Sequence, residues 1–137
     1  YSLHGDGELQ EGQNWEAIMF AAHHKVDNLI ATVDYNGQQI DGSTAVVMNL
    51  ESLQAKWEAF GWQVLHMNGN DMKEIAETMA MAKQMLGNGK PICILMRTIM
   101  GKGVSSMEGT HEWHGIAPND AQLAEALTQL PETLGDY

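Results

Sequence analysis

The sequence is short of positive charge, cysteine and proline, and it contains no long apolar run. Only 7 Lys and Arg stand against 18 Asp and Glu in 137 residues, giving a net charge of −11. With acids spread along the chain, this balance disfavours nucleic acid and anionic membranes as partners. A bound phosphate would need a cation to help hold it. The single Cys93 lies in the apolar run PICILM, which excludes a disulfide within the chain and reads as a small buried residue in a reducing compartment. No stretch reaches the about 18 consecutive apolar residues of a membrane span, and no signal-peptide pattern opens the chain, so a cytoplasmic location is expected. There is no Met at position 1, which suggests a piece of something longer.

What is present is an apolar fraction of 44%, enough for one domain with a real core. Trp15, Ile18, Met19 and Ala22 fall at i, i+3, i+4 and i+7, predicting a helix capped by Asn14 and running to about Lys25. NLIATVD follows as an unbroken apolar strand of the kind covered on both faces. Leu50, Leu53, Trp57 and Phe60 make a second helical stripe stopped by Gly61, followed by a strand over WQVLHM. Met72, Ile75, Met79, Ala82 and Leu86 make a third stripe between Asn70 and Gly87, and PICILMR is the next strand. The alternation predicts an α/β fold: a doubly wound, mostly parallel sheet with helices on both faces and right-handed crossovers. A glycine-bearing loop is expected over 98–118. Asn119 and Gln122 have the spacing of a capping box for a last helix carrying Leu123, Leu127 and Leu130 and ended by Pro131. The methionines fall mostly on the apolar stripes and read as core filling. The first strand leads at once into a glycine turn with no helix before it, although such strands are normally central, so part of the domain is expected to be missing.

In open α/β sheets ligands bind beyond the carboxyl ends of strands. Three segments are predicted there: GDGE at 5–8, DYNGQQIDG at 34–42, and the glycine loop after the last strand. Asp6 and Asn36, thirty residues apart, are candidate ligands for a hard cation such as Mg²⁺, which takes oxygen donors and usually shares them with phosphates. Competing readings are weaker. GDGELQ lacks the third glycine of a dinucleotide fingerprint, since position 10 is Gln10. DYNGQQIDGSTA starts like a calcium loop, but Gln39 and Ala45 stand where Gly and Glu are needed. HEWH, residues 111–114, lacks the spacer of a zinc-protease helix. Either turn alone is equally an ordinary Asx or glycine turn.

The GDG, the thirty-residue step to Asn36, the NGQQIDG after it, and the wording GDGELQEGQNWEA…VDYNGQQIDG…GKGVSSMEGTHEWHGIAPND resemble the transketolase family over essentially the whole chain, specifically the amino-terminal subunit of split bacterial transketolases. The resemblance implies that residues 1–137 form the carboxy-terminal part of a thiamine diphosphate-binding domain. It implies Mg²⁺ ligation by the Asp6 and Asn36 side chains and the Gln38 carbonyl, with Gly5 and Gly7 bringing backbone close to the diphosphate. Ile40 would line the cofactor bed, and His111 would serve the diphosphate and substrate side as a catalytic residue, with His114 a weaker candidate. Glu11 and Glu16 match acids of a carboxylate network at the subunit interface, though by themselves they read as a loop acid and a first-turn helix acid. The implied reaction moves a two-carbon ketol unit between sugar phosphates in the pentose phosphate pathway. A carboxy-terminal subunit carrying the pyrimidine-binding domain would supply the activating glutamate, so an oligomer is expected and the isolated chain should be inactive. Other readings are another thiamine diphosphate enzyme such as deoxyxylulose-phosphate synthase, or a non-catalytic assembly module of the same fold.

Overall fold

The computed structural model describes residues 1–131. Four strands form one parallel sheet: β1 (Ser2–Gly5), β2 (Ile30–Tyr35), β5 (Gln63–Asn68) and β6 (Ile92–Arg97), in spatial order β1-β2-β6-β5. Two short strands, β3 (Gln38–Gln39) and β4 (Gly42–Ser43), pair antiparallel as a separate hairpin after β2. The helices are α1 (Gly12–His23), α2 (Thr44–Val47), α3 (Leu53–Ala59), α4 (Met72–Gln84) and α5 (Asp120–Gln129), with 3-10 turns at Gly7–Gln10 and His111–Trp113.

The chain steps across the sheet in one direction through α1 and α3 and returns through α4. Right-handed crossovers then require α4 on the opposite face, and the packing agrees. On one face, Ile18 and Ala21 of α1 and Leu53 and Trp57 of α3 bury against Ala31, Val33, Cys93 and Leu95. On the other, Ala82 of α4, with Ile75 and Met79, packs on Ile30, Ile92, Ile94 and Met67. The doubly wound parallel sheet is thus observed, and the unbroken apolar runs of β2 and β6 follow from burial on both faces. β1 is an edge of this sheet rather than a central strand.

Several local expectations are corrected. The α1 N-cap is Glu11, without a side-chain cap; Asn14 is already helical, and its Nδ2 donates to the Glu8 carbonyl instead. The helix ends at His23 rather than Lys25. Its buried line is Ile18 and Ala21, while Met19 points outward, because the helix meets the sheet along a line narrower than the apolar stripe. The second helix starts at Leu53 under a Ser52 cap, leaving Leu50 buried in the preceding segment. The third is capped by Asp71, whose carboxylate accepts from Lys73 and Glu74 N–H, and not by Asn70. Met72 lies outside the core there, and Met19, Met48 and Met81 are exposed as well, so the methionines fill the core less than their spacing suggests. The Asn119–Gln122 capping box forms with both reciprocal bonds, but α5 buries Ala126 and leaves Leu123, Leu127 and Leu130 exposed. The hairpin and α2 are too short to carry a periodic signal.

Two measurements check this core. Ile94, fully buried in β6, should cost about 2–5 kcal/mol as Ile94→Ala in chemical denaturation; a loss near zero would place it outside the core. Burial also pushes the Cys93 thiol far above its ordinary range. A thiol reagent at mildly alkaline pH should leave the native protein unlabelled and label it once unfolded.

Candidate functional site

The carboxyl ends of the strands open into a cavity of about 880 Å³. Its walls come from the turn after β1 (Gly5 to Glu8), the segment after β2 (Asn36 and Gln38 to Asp41), Asn70 after β5, and Thr98 to Gly101 after β6. All three segments expected at this edge meet there.

Asp6 is at the centre of the construction. It is 1% exposed, although it sits in a glycine turn. Its main-chain N–H donates to the Asp34 carbonyl at 3.1 Å, extending the β1–β2 ladder by one step. Its Oδ1 accepts from Gly7 N–H at 2.8 Å and its Oδ2 from Gly37 N–H at 2.6 Å, so one carboxylate ties the exits of two strands. Gly37 has φ +75, a conformation that glycine adopts without cost, and this aims its N–H at Asp6. Burial raises the Asp6 carboxyl above its ordinary value; the Gly37 and Gly7 N–H groups oppose that rise and the Asp34 charge adds to it. Among the described residues no cationic side chain pairs with Asp6. A desolvated carboxylate without a cation is an electrostatic demand on whatever fills the cavity.

The next donors follow from the β2 exit. Asn36 Oδ1 accepts from Gln38 N–H at 2.8 Å, an Asx turn that fixes the start of the β3–β4 hairpin. The Gly7 backbone lies so close beneath this hairpin that a Cβ on it would come within 2.9 Å of Gln39 Cβ. Leu9 is fully buried below, and the Trp15 indole N–H donates to its carbonyl at 2.7 Å, so the turn carrying Asp6 is anchored from behind.

The cavity brings together Gly5, Asp6, Gly7, Asn36, Gln38 and Ile40 of the predicted set. His111 starts the short 3-10 turn of the last loop, with Nδ1 at 3.9 Å from a Glu112 carboxylate oxygen, and is not among the residues lining the cavity; His114 is. Glu11 lines the cavity and Glu16 does not. Asn70, Asp34, Thr98 and Gly101 also line the cavity and were not among the expected site residues. Their positions at or just past strand carboxyl ends were the available signal.

Asp6 and Asn36, which line this cavity, carry the carboxylate and amide oxygens that a hard divalent cation takes. Among the described residues no three His, Cys, Asp or Glu side chains converge as a metal cage. An ion such as Mg²⁺, which draws most of its ligands from water and phosphates, would suit the Asp6 and Asn36 side chains.

Fold and cavity together define a doubly wound α/β domain with a cavity at its carboxyl edge that Asp6 and Asn36 line. The sequence matches the family described as "Transketolase, thiamine diphosphate binding domain" over residues 1–133. The chain belongs to that family. It is 44% identical over 134 residues to an apulose-4-phosphate transketolase subunit from Phocaeicola vulgatus, covering 98% of this chain and 47% of that protein. It is 44% identical over 130 residues to the 6-deoxy-6-sulfo-D-fructose transketolase subunit SqwG of a Clostridium species, covering 95% of this chain and 46% of that protein. The chain thus spans about half the length of these curated relatives. The crystal structure of transketolase from Campylobacter jejuni superposes with a TM-score of 0.84 at 37% identity, covering 93% of this chain and 20% of that one. Among the described residues no helix is long and apolar enough to cross a membrane.

The close approach at Gly7 is testable. Gly7→Ala should fold, because the position does not have positive φ, but must push the hairpin at Gln39 aside. The chemical shifts of Gln38 and Gln39 should move while those of the β5 and α4 core stay put; an unperturbed hairpin would show that the contact is slack.

Proposed function

We propose that this chain is the diphosphate-binding part of a two-subunit transketolase that works on sugar phosphates or related ketoses. The observation that carries this reading is the buried Asp6 carboxylate, which joins two strand exits beside an oxygen-lined cavity and has no cationic partner among the described residues. In this reading Asp6 and Asn36 hold Mg²⁺ through their side chains and Gln38 through its carbonyl. Gly5 and Gly7 bring backbone close to the diphosphate, and Ile40, exposed at the cavity rim, offers an apolar contact to the rest of the cofactor. Thiamine diphosphate, when bound, supplies a carbon nucleophile and an electron sink for moving a two-carbon ketol unit from a ketose to an aldose. The protein's share is charge, orientation and exclusion of water.

The relatives named as subunits support a second chain as partner, and the domain that closes over the pyrimidine ring is assigned to it. The sugars in those relatives' names, apulose-4-phosphate and 6-deoxy-6-sulfo-D-fructose, both carry an anionic group, and a substrate of that chemical class is proposed for this chain. His111, carried by the glycine-bearing loop near His114, is proposed to meet the diphosphate or substrate in the complete assembly. The strongly acidic chain fits a site in which a divalent cation, and not a basic side-chain cluster, neutralises the diphosphate.

The test compares two variants in the assembled enzyme. Asp6→Ala removes the charged ligand, so cofactor affinity should fall by orders of magnitude. His111→Ala leaves the metal in place and should appear chiefly in kcat/KM, at about 2–4 kcal/mol, the scale of one positioned donor or proton-transfer group. Cofactor binding that survives Asp6→Ala unchanged would overturn the assignment of the cation site. His111→Ala losing cofactor as severely as Asp6→Ala, with normal turnover at saturating cofactor, would overturn the division of roles.

A further inference from the structure

The cavity has one wall that the cation ligands do not hold. Residues Thr98 to Gly101 leave the end of β6 and form the side of the cavity that faces the Asp6 turn. Little apolar packing fixes them. Thr98 is half-buried and Ile99 exposed, Gly101 and Gly103 both have positive φ, and the first fully seated apolar residue beyond them is Val104. The position of this wall therefore depends on polar contacts at its root.

Farther along, the Met100 carbonyl accepts from Gly109 N–H within the loop, and two side-chain contacts tie the root to neighbouring strand exits. The Thr98 hydroxyl donates to Asp34 Oδ1, and the Ile99 N–H donates to Asn70 Oδ1 at 2.9 Å. Asp34 is in register between Gly5 of β1 and Met96 of β6, and its carbonyl accepts the Asp6 N–H. One residue thus holds the Asp6 turn with its main chain and the opposite wall with its side chain. We infer that Asp34 is a positioning residue for the ligand site, acting through Thr98 to fix the β6 exit against the Asp6 turn and so set the width of the cavity. The inference rests on the reading of that cavity as the thiamine diphosphate site.

A purely structural role would act on the stability of the sheet. The contact instead lies at the cavity wall, with Thr98 only half-buried and the sheet core complete beneath it. Losing the bond frees a loop and leaves the core intact, so its effect belongs in ligand affinity.

The experiment measures the dissociation constant of thiamine diphosphate with saturating Mg²⁺ for the assembled enzyme, together with the thermal midpoint of the cofactor-free protein. Thr98→Val keeps the shape and removes the donor, and should weaken cofactor binding about tenfold, the scale of one lost positioned hydrogen bond, with the cofactor-free midpoint unchanged. Thr98→Ser restores the donor and should return affinity to the parent value. Asp34→Asn keeps an acceptor for Thr98 and should bind better than Asp34→Ala. Affinity of Thr98→Val within about twofold of the parent, on the same scale, would overturn the inference, as would Thr98→Ser binding no better than Thr98→Val, or Asp34→Asn losing as much as Asp34→Ala. A parent assembly that binds no cofactor would instead overturn the functional reading on which the inference rests.

Discussion

The carboxyl edge of this domain depends on burying one carboxylate where two parallel strands end. Asp6 accepts from Gly7 N–H and Gly37 N–H with its two oxygens, and its own N–H goes to Asp34. Those bonds orient the turn after β1 and the segment after β2 relative to each other. They offset only part of the desolvation, since burial still raises the carboxyl above its ordinary value. A buried carboxylate with no cationic side chain beside it is what the proposed cation would satisfy.

The rest of the fold serves that edge. Right-handed crossovers through α1, α3 and α4 bring four strand ends to one side, so loops distant in sequence share a cavity. The aromatic cluster of Trp15, Trp57 and Trp62 braces it from below. Trp15 holds the Leu9 carbonyl under the Asp6 turn, and the Trp62 indole N–H donates to the Ile18 carbonyl, joining α1 to the segment that opens β5. α1 and α3 are thus fixed to the sheet through the same aromatic cluster that seats the Asp6 turn.

How much of this was legible in the sequence varied with the physical signal. β2 and β6 were readable because burial on both faces leaves unbroken apolar runs, and α3 because Leu53 and Trp57 keep strict helical spacing. That Asp6 and Asn36 would share a cavity was readable because both follow strands whose carboxyl ends lie on one edge. The α1 cap was not, because Asn14 satisfies a carbonyl in the preceding turn, a contact that depends on how that turn folds. α5 misled in its facing: its leucines have the spacing of a buried stripe, but the smaller Ala126 is the residue that packs inward. Asp34 and Asn70 read as a strand end and a helix cap, and only the three-dimensional return of the β6 exit gives them a further use.

The site proposed around Asp6 binds a diphosphate together with a cation. Its most direct test is calorimetric titration of thiamine diphosphate into the assembled enzyme, once with Mg²⁺ and once with the metal removed by a chelator. Saturable binding is expected with the cation and its loss without, because the acidic cavity then repels the diphosphate. Binding of equal affinity in the chelator would contradict it.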